Sequence, residues 1–291
     1  VRALLLALAC AVATAAGAEV RLRDDRGVDV VLPAPASRIV AVAPHLAEAA
    51  FAAGAGAKLV GTSAFSDHPP EAALLPVVSD ATHVDFEALA RLKPDLVLVW
   101  QSGNRARDFG QLEARGFRVF VTEPTRPEDV ARLVRTIGRL AGTAAAAEAA
   151  AAGIEARLAA LRARFAGRPE VRVFYEIWNE PLMTVNGRHV ITALIELCGG
   201  RNVFAAAAPL TPVISREQVL AADPDAILVS SAPTLAAHRL DAWRRWQTLR
   251  AVRRGDLYAM DPGLLNRMGP RLIDGAEALC GALDRARAAA R

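Results

Sequence analysis

The sequence predicts an α/β protein built as two similar Rossmann-like lobes with mostly parallel sheets, joined by one long inter-lobe α-helix. Three observations carry that expectation. Short apolar runs of strand length alternate with helix-like segments along residues 19–291, the pattern of parallel sheets covered on both faces. A helix-strand unit then recurs 130 positions later, pairing Asp85 with Ser215, Glu87 with Glu217, Pro94-Asp95 with Pro224-Asp225, and Leu98-Val99 with Leu228-Val229. Between the two copies, residues 143–167 read as a single helix that belongs to neither half.

Taken in order, the chain opens with Arg2, an apolar run from Ala3 to Val12, and a small-x-small site at Ala16-Gly17-Ala18. Residues 1–18 are therefore expected to be a secretory signal peptide, and the protein periplasmic. Ala9-Cys10 lacks the larger aliphatic of a lipoprotein site, since Ala7 stands there, so a lipid anchor is not expected. No later stretch has the roughly 18 uncharged apolar residues that a membrane span needs. The net charge of +4 is small and dispersed, with no basic block interleaved with aromatics, so nucleic acid is not an expected partner. Once Cys10 leaves with the signal, Cys198 and Cys280 remain, and in an exported chain that pair is expected to form a disulfide within the second half.

In the first half, residues 19–142, Arg38-Ile39-Val40-Ala41-Val42 reads as a buried strand, followed by a small-residue helix from Pro44 that Gly54 ends. A strand at Val60-Gly61-Thr62-Ser63, a helix from Asp85 stopped at Pro94, and the strand Leu96-Val97-Leu98-Val99 follow. A helix ending near Leu112, a strand over 117–121, and a helix opened by a capping box at Thr125-Arg126-Pro127-Glu128 complete this half. In 143–167 the apolar residues Ile154, Leu158, Leu161 and Phe165 fall on one stripe, with Thr143 as the expected N-cap and Gly167-Arg168-Pro169 as the stop. The second half, 168–291, restarts with the strand Val171-Arg172-Val173-Phe174-Tyr175 and a helix over 191–197.

Ligands of open α/β sheets sit beyond the carboxyl ends of the strands, so two facing lobes define a cleft lined by the residues after each strand. Those positions hold Pro44-His45, Phe65, Asp67, Trp100 and Asn104 in the first lobe, and Ile177-Trp178-Asn179 with residues 261–267 in the second. Phe65, Trp100 and Trp178 project from loops, which suits an apolar pocket for a bulky or flat ligand. Trp243 and Trp246 are read as core packing.

The segments Arg38-Ile39-Val40, Ser66-Asp67-His68-Pro69-Pro70, Leu92-Lys93-Pro94-Asp95-Leu96-Val97, and Trp100 with Gly103-Asn104 carry a resemblance, as do Cys198-Gly199-Gly200-Arg201-Asn202-Val203-Phe204, Ser215-Arg216-Glu217-Gln218-Val219-Leu220, and Gly269-Pro270-Arg271 after Arg267. With them the chain resembles the periplasmic substrate-binding proteins of ABC importers for metal chelates, including members that take cobalamin (vitamin B12), over essentially all of 19–291. The resemblance implies two lobes on a rigid linking helix, a Cys198–Cys280 disulfide, and a corrinoid as transported ligand rather than a resident cofactor. It implies ligand contacts at Trp100, at Phe65 in place of a tyrosine, at Arg267 and at Trp178. Ala81 and Thr211 stand where the best-known relative has tryptophans, which leaves room for cobinamide, haem or a siderophore, and His83 lies near the vacated wall as a further candidate contact or an ordinary surface histidine. Glu87 and Glu217 resemble the paired acids that dock on a membrane permease dimer. Each sits in the first turn of a predicted helix, where the macrodipole favours a carboxylate. The protein is expected to act as a monomer.

Two rival readings have sequence support. Trp178-Asn179-Glu180-Pro181 matches a string found in retaining glycosidases, but such enzymes need a second carboxylate about 5 Å away and a complete barrel. A bare-metal site could draw on His45, His68 and His83, although the second lobe offers no matching histidine at a strand end. No nucleophile-base triad or phosphate-cradling glycine loop is present, so the chain is not expected to be an enzyme or to hold a structural metal.

Overall fold

The computed structural model describes residues 18–80 and 82–289; the expected signal segment up to residue 17, and Ala81, lie outside them. A hairpin of β1 (Val20–Arg23) and β2 (Asp29–Leu32) leads into β3 (Ile39–Ala41), α1 (Pro44–Ala52), β4 (Leu59–Ser63), β5 (Val77–Ser79), α2 (Phe86–Arg91), β6 (Leu96–Trp100), α3 (Ala106–Ala114), β7 (Val119–Thr122) and α4 (Asp129–Ala141). The long helix α5 (Ala144–Phe165) follows. Beyond it come β8 (Val171–Glu176), the short hairpin β9 (Trp178–Asn179) and β10 (Leu182–Met183), α6 (Val190–Leu197), β11 (Gly200–Asn202), α7 (Arg216–Ala222), β12 (Ala226–Ser230), α8 (Ala236–Arg244), α9 (Arg250–Arg254), β13 (Leu257–Met260), α10 (Pro262–Leu265) and α11 (Leu272–Ala289). The first sheet runs β5-β4-β3-β6-β7 and the second β11-β8-β12-β13, both wholly parallel. Two α/β lobes joined by one helix are thus what the chain forms.

The repeat read from the sequence extends to backbone detail. Asp85 and Ser215 cap α2 and α7 through their side chains, on Ala88 N and Gln218 N. Both helices stop near a residue in the left-handed region, Lys93 (φ 48°) and Asp223 (φ 38°). Carbonyls freed at each stop are taken by an arginine from the neighbouring strand: Arg38 donates to Leu92 O and Lys93 O, and Arg172 to Ala222 O and Asp223 O. Asp95 and Asp225 then accept from the backbone of that same strand, at Arg38 N and Arg172 N. Each lobe therefore locks its central strand pair with one arginine and one aspartate.

Two expected helix starts take a different form. The capping box at Thr125–Glu128 is absent, because Asp129 accepts from Thr125 N and Arg126 N while Glu128 pairs with Arg162 of α5. Thr143 does occupy the N-cap of α5, yet its hydroxyl makes no capping bond and is buried without a partner. The preceding Gly142, at φ 71°, ends α4 and turns the chain directly into α5. Tertiary packing, more than a cap, therefore starts the long helix.

The predicted stripe Ile154, Leu158, Leu161 and Phe165 is buried, and Ala147 and Ala151 extend it. It lies in one continuous apolar core that includes Leu46, Leu98 and Ile137 of the first lobe and Tyr175, Leu194 and Leu283 of the second. Separate clusters around Val97 and Phe174 cover the opposite faces of the two sheets. On its polar side α5 pairs with both lobes, Glu148 and Glu155 with Arg135 of α4, and Arg157 with Asp274 and Glu277 of α11. These exposed pairs are screened by solvent and contribute little, so buried apolar surface is the main adhesive.

The alanine tract has its own reason. A Cβ built on Gly138 of α4 would fall 2.2 Å from Ala147 Cβ, so α4 and α5 meet at a glycine-alanine contact that tolerates nothing larger. Gly138→Ala is expected to cost about 1–2 kcal/mol through helix separation, despite alanine's better helix propensity. Urea denaturation would check it; an equally stable variant would show that the helices can part freely.

Candidate functional site

The strand ends of the two lobes face each other across a cleft, and the side chains there are held from below. Trp100 ends β6, half-buried, and packs edge-on against His45 with ring centroids 5.0 Å apart. Its backbone N–H donates to Asn104 Oδ1 (2.9 Å), whose own amide donates to Val42 O (3.1 Å), tying the loops after β3 and β6 together. Gly103 lets the indole lie against the chain, because a Cβ there would sit 1.8 Å from Trp100 Cε3. Phe65 is 79% exposed and its backbone is left-handed at φ 63°. Such a conformation is costly for a bulky residue, and it aims an apolar ring at solvent from the loop after β4. Trp178 is 58% exposed on the β9–β10 hairpin, with its indole N–H donating to Glu180 O (2.9 Å).

Across the cleft, Arg267 donates to Asp67 Oδ1 (2.6 Å) and Glu48 Oε1 (3.4 Å), both of the first lobe. Arg271 adds a two-pronged contact to Glu48, Nη2 to Oε1 at 2.7 Å and Nε to Oε2 at 3.1 Å. Glu48 is buried, 3% exposed, so one carboxylate in the first lobe clamps two arginines of the second. The hydrogen bond from Arg267 holds the Asp67 carboxyl below the usual carboxylate range, and Glu48 raises Arg271 further. On the second-lobe side, Tyr175 OH donates to Asn266 Oδ1 (3.2 Å) and Asn266 Nδ2 to Ser230 Oγ (3.0 Å), bracing the loop that carries Arg267. Sequence reasoning missed Glu48 and Arg271. A lone acid in the apolar run His45-Leu46-Ala47-Glu48-Ala49-Ala50 was the available signal, since a carboxylate on a buried face demands a cationic partner.

Beside Trp100 the two lobes border an open cavity of about 450 Å³. Its first-lobe wall includes Ser102, Glu123 and Pro124, and its second-lobe wall Arg188, His189, Val190, Leu210 and Met268. His189 caps α6, its Nδ1 accepting from Ile191 N (3.2 Å), and burial lowers its pKa to about 4. Burial, with Arg267 nearby, lowers His45 to about 3. Both histidines are neutral in the folded protein and would charge in the unfolded chain below about pH 6.5. The unfolded state then binds more protons, so stability should fall as pH drops from 6.5 toward 4 and 3; denaturant midpoints at pH 7 and pH 5 would register it, and equal midpoints would contradict it.

The remaining candidates are spread out. His83 is exposed and lines a separate first-lobe depression with Phe86, Glu87, Arg115 and Phe117, away from the Trp100 cavity. Glu87 and Glu217 are exposed in the first turns of α2 and α7, and the Ser215 side chain depresses the Glu217 pKa. Cys198 and Cys280 are joined as a disulfide between the end of α6 and α11. The glycosidase arrangement is not formed: Glu180 lies in the β9–β10 turn, and the nearby Glu176 is buried and taken by Arg239 and Trp243. Trp243 is core, packed on Phe174 at 5.4 Å. Among the described residues no group of three His, Cys, Asp or Glu side chains is placed to hold a metal ion; His45 is buried while His68 and His83 are exposed.

The profile of the family described as "Periplasmic binding protein" matches residues 39–264. A "Vitamin B12-binding protein" of Vibrio cholerae is 34% identical over 249 residues, 85% of this chain and 89% of that protein. The crystal structure of the periplasmic vitamin B12 binding protein BtuF of Vibrio cholerae superposes with a TM-score of 0.81 at 34% identity, covering 87% of this chain and 98% of that one. The periplasmic heme-binding protein RhuT from Roseiflexus sp. RS-1, in apo form, superposes with a TM-score of 0.77 at 26% identity, covering 86% and 99%.

Proposed function

Because the chain belongs to the periplasmic binding protein family, whose members capture solutes for ABC importers and are not enzymes, we propose that it captures a corrinoid, cobalamin foremost, in its inter-lobe cleft and delivers it to a membrane permease dimer. The observation that carries this reading is that Trp100 lines a pocket shared by the two lobes, while a loop after β4 and the β9–β10 hairpin each expose an aromatic ring, Phe65 and Trp178, and Arg267 of the second lobe reaches Asp67 of the first. Two of those rings are exposed, and a ligand that covered them would remove their apolar surface from water. On this reading residues 1–18 direct export, lobes 19–142 and 168–291 grip the ligand as a monomer, and 143–167 sets their separation. Binding of another metal chelate, haem in particular, is the second reading; the small Ala81 and Thr211 and the likeness to a haem binder favour it. His83 would then be tested as an additional contact by replacement with alanine.

Titrating the purified protein with cyanocobalamin, cobinamide, haemin and a ferric siderophore tests the proposal. Saturable binding of a corrinoid, weakened at least tenfold in Trp100→Ala, is expected; failure to bind any corrinoid rejects it. Glu87 and Glu217 would each bond a basic residue on one permease subunit. The double replacement Glu87→Arg, Glu217→Arg should abolish uptake in cells while ligand affinity stays unchanged, and undiminished uptake would remove the docking role.

A further inference from the structure

The lining of the cavity beside Trp100 is mainly apolar, yet Glu123, Arg188 and His189 are set into it, which a generic apolar cleft does not require. Resting on the corrinoid reading above, we propose that Glu123, Arg188 and His189 form a subsite that accepts a neutral primary amide on the ligand's periphery and turns away a carboxylate. A primary amide has an acceptor oxygen and a two-hydrogen donor on one carbon, whereas a carboxylate only accepts. The cavity offers the matching pair of walls. From the second lobe, His189 presents a fixed donor: its Nδ1 is occupied by the Ile191 N–H at 3.2 Å, so the hydrogen of the neutral ring lies on Nε2. Arg188 stands next to it, steadied by a bond from Nη2 to Ala208 O (2.8 Å), and among the described residues it has no acidic partner.

Facing them from the first lobe, Glu123 is steadied by Ser102 N, which donates to its Oε2 at 3.0 Å. Its other oxygen accepts from no group among the described residues, so it can receive the amide N–H. A ligand carboxylate in the same place would oppose two acceptors with no proton between them. Its attraction to Arg188 is damped because that side chain is exposed, while Glu123 is half-buried. Val190, Leu210 and Met268 supply the apolar seat for the methylenes that carry the amide. A volume of about 450 Å³ suits such an appendage together with the edge of a macrocycle.

Two ligand pairs that differ only in this group test the subsite. Cyanocobalamin is compared with its separated monocarboxylic acids, each made by hydrolysing one propionamide, and haemin with its bis-propionamide, by calorimetry on wild type, Glu123→Gln and Arg188→Ala. Wild type should hold the amide at least about tenfold tighter than one of the acids. Glu123→Gln, which keeps an acceptor for Ser102 N, should bring that ratio close to one, and Arg188→Ala should weaken the amide several-fold. Equal affinity for all acids and the parent in wild type, or an unchanged ratio in Glu123→Gln, overturns the subsite while leaving corrinoid capture intact. Preference for the haem amide with no corrinoid binding would keep the subsite and reject the corrinoid reading; no binding of any probe would reject both.

Discussion

Replacing Cys198 and Cys280 together with alanine should lower unfolding free energy by about 4–5 kcal/mol, the largest loss expected from any pair of substitutions here. The cross-link closes a loop of 82 residues containing β11, β12 and β13, so its removal returns much conformational freedom to the unfolded second lobe. Both cysteines are buried, and alanine leaves no unpaired polar atom behind. Because α5 merges the cores of both lobes, unfolding of the variant should remain a single transition at a lower midpoint. Urea denaturation followed by tryptophan fluorescence and by circular dichroism would show it. A loss below about 2 kcal/mol would contradict the loop-closure account, and two separated transitions would mean that the lobes hold together less through the shared core than the packing implies.

Removal of the Glu48 carboxylate should have the next largest effect. Glu48→Ala leaves Arg267 and Arg271 facing a buried hole, and breaking such a pair costs about 3–5 kcal/mol when both partners are fully buried. Here the arginine side chains are 20% and 22% exposed, and Arg267 keeps Asp67, so about 2–4 kcal/mol is expected. The variant should also lose ligand affinity, because Arg267 is no longer braced from below. Small-angle scattering separates the two effects: wild type should change little on ligand binding, as a helix between lobes resists bending, whereas Glu48→Ala should show a broader distribution of lobe separations. A variant as stable and as compact as wild type would reduce the clamp to an ornament of the closed cleft.

The legibility of this protein in its sequence followed the range of the interactions involved. The stripe on α5 and the caps Asp85 and Ser215 depend on residues a few positions apart, so their patterns are readable along the chain, whereas Asp95 and Asp225 were legible only as a repeated Pro-Asp pair, since the backbone they hold lies 57 and 53 positions away. The capping box at Thr125 failed for a local reason as well: Asp129, one position beyond the motif, is the better acceptor and moved the helix start. Glu48 was unreadable as a clamp because its partners lie 219 and 223 positions away. For His189, the role as a neutral cap on one cavity wall depends on burial that no local pattern announces.

Periodicity and repetition were enough to specify an α/β chain in two matched halves, one helix between them, and an acid at the head of each matched helix, while the even pair of cysteines behind an export signal pointed to a disulfide in the second half. Those features are written in spacing, and spacing survives in one dimension. How the halves meet is another matter. The merging of two cores under α5, the placement of Glu48 against Arg267 and Arg271, and the opposition of Glu123 to Arg188 and His189 arise only when both lobes are folded. Burial and charge pairing across a cleft are properties of surfaces brought together, and no one-dimensional spacing contains them.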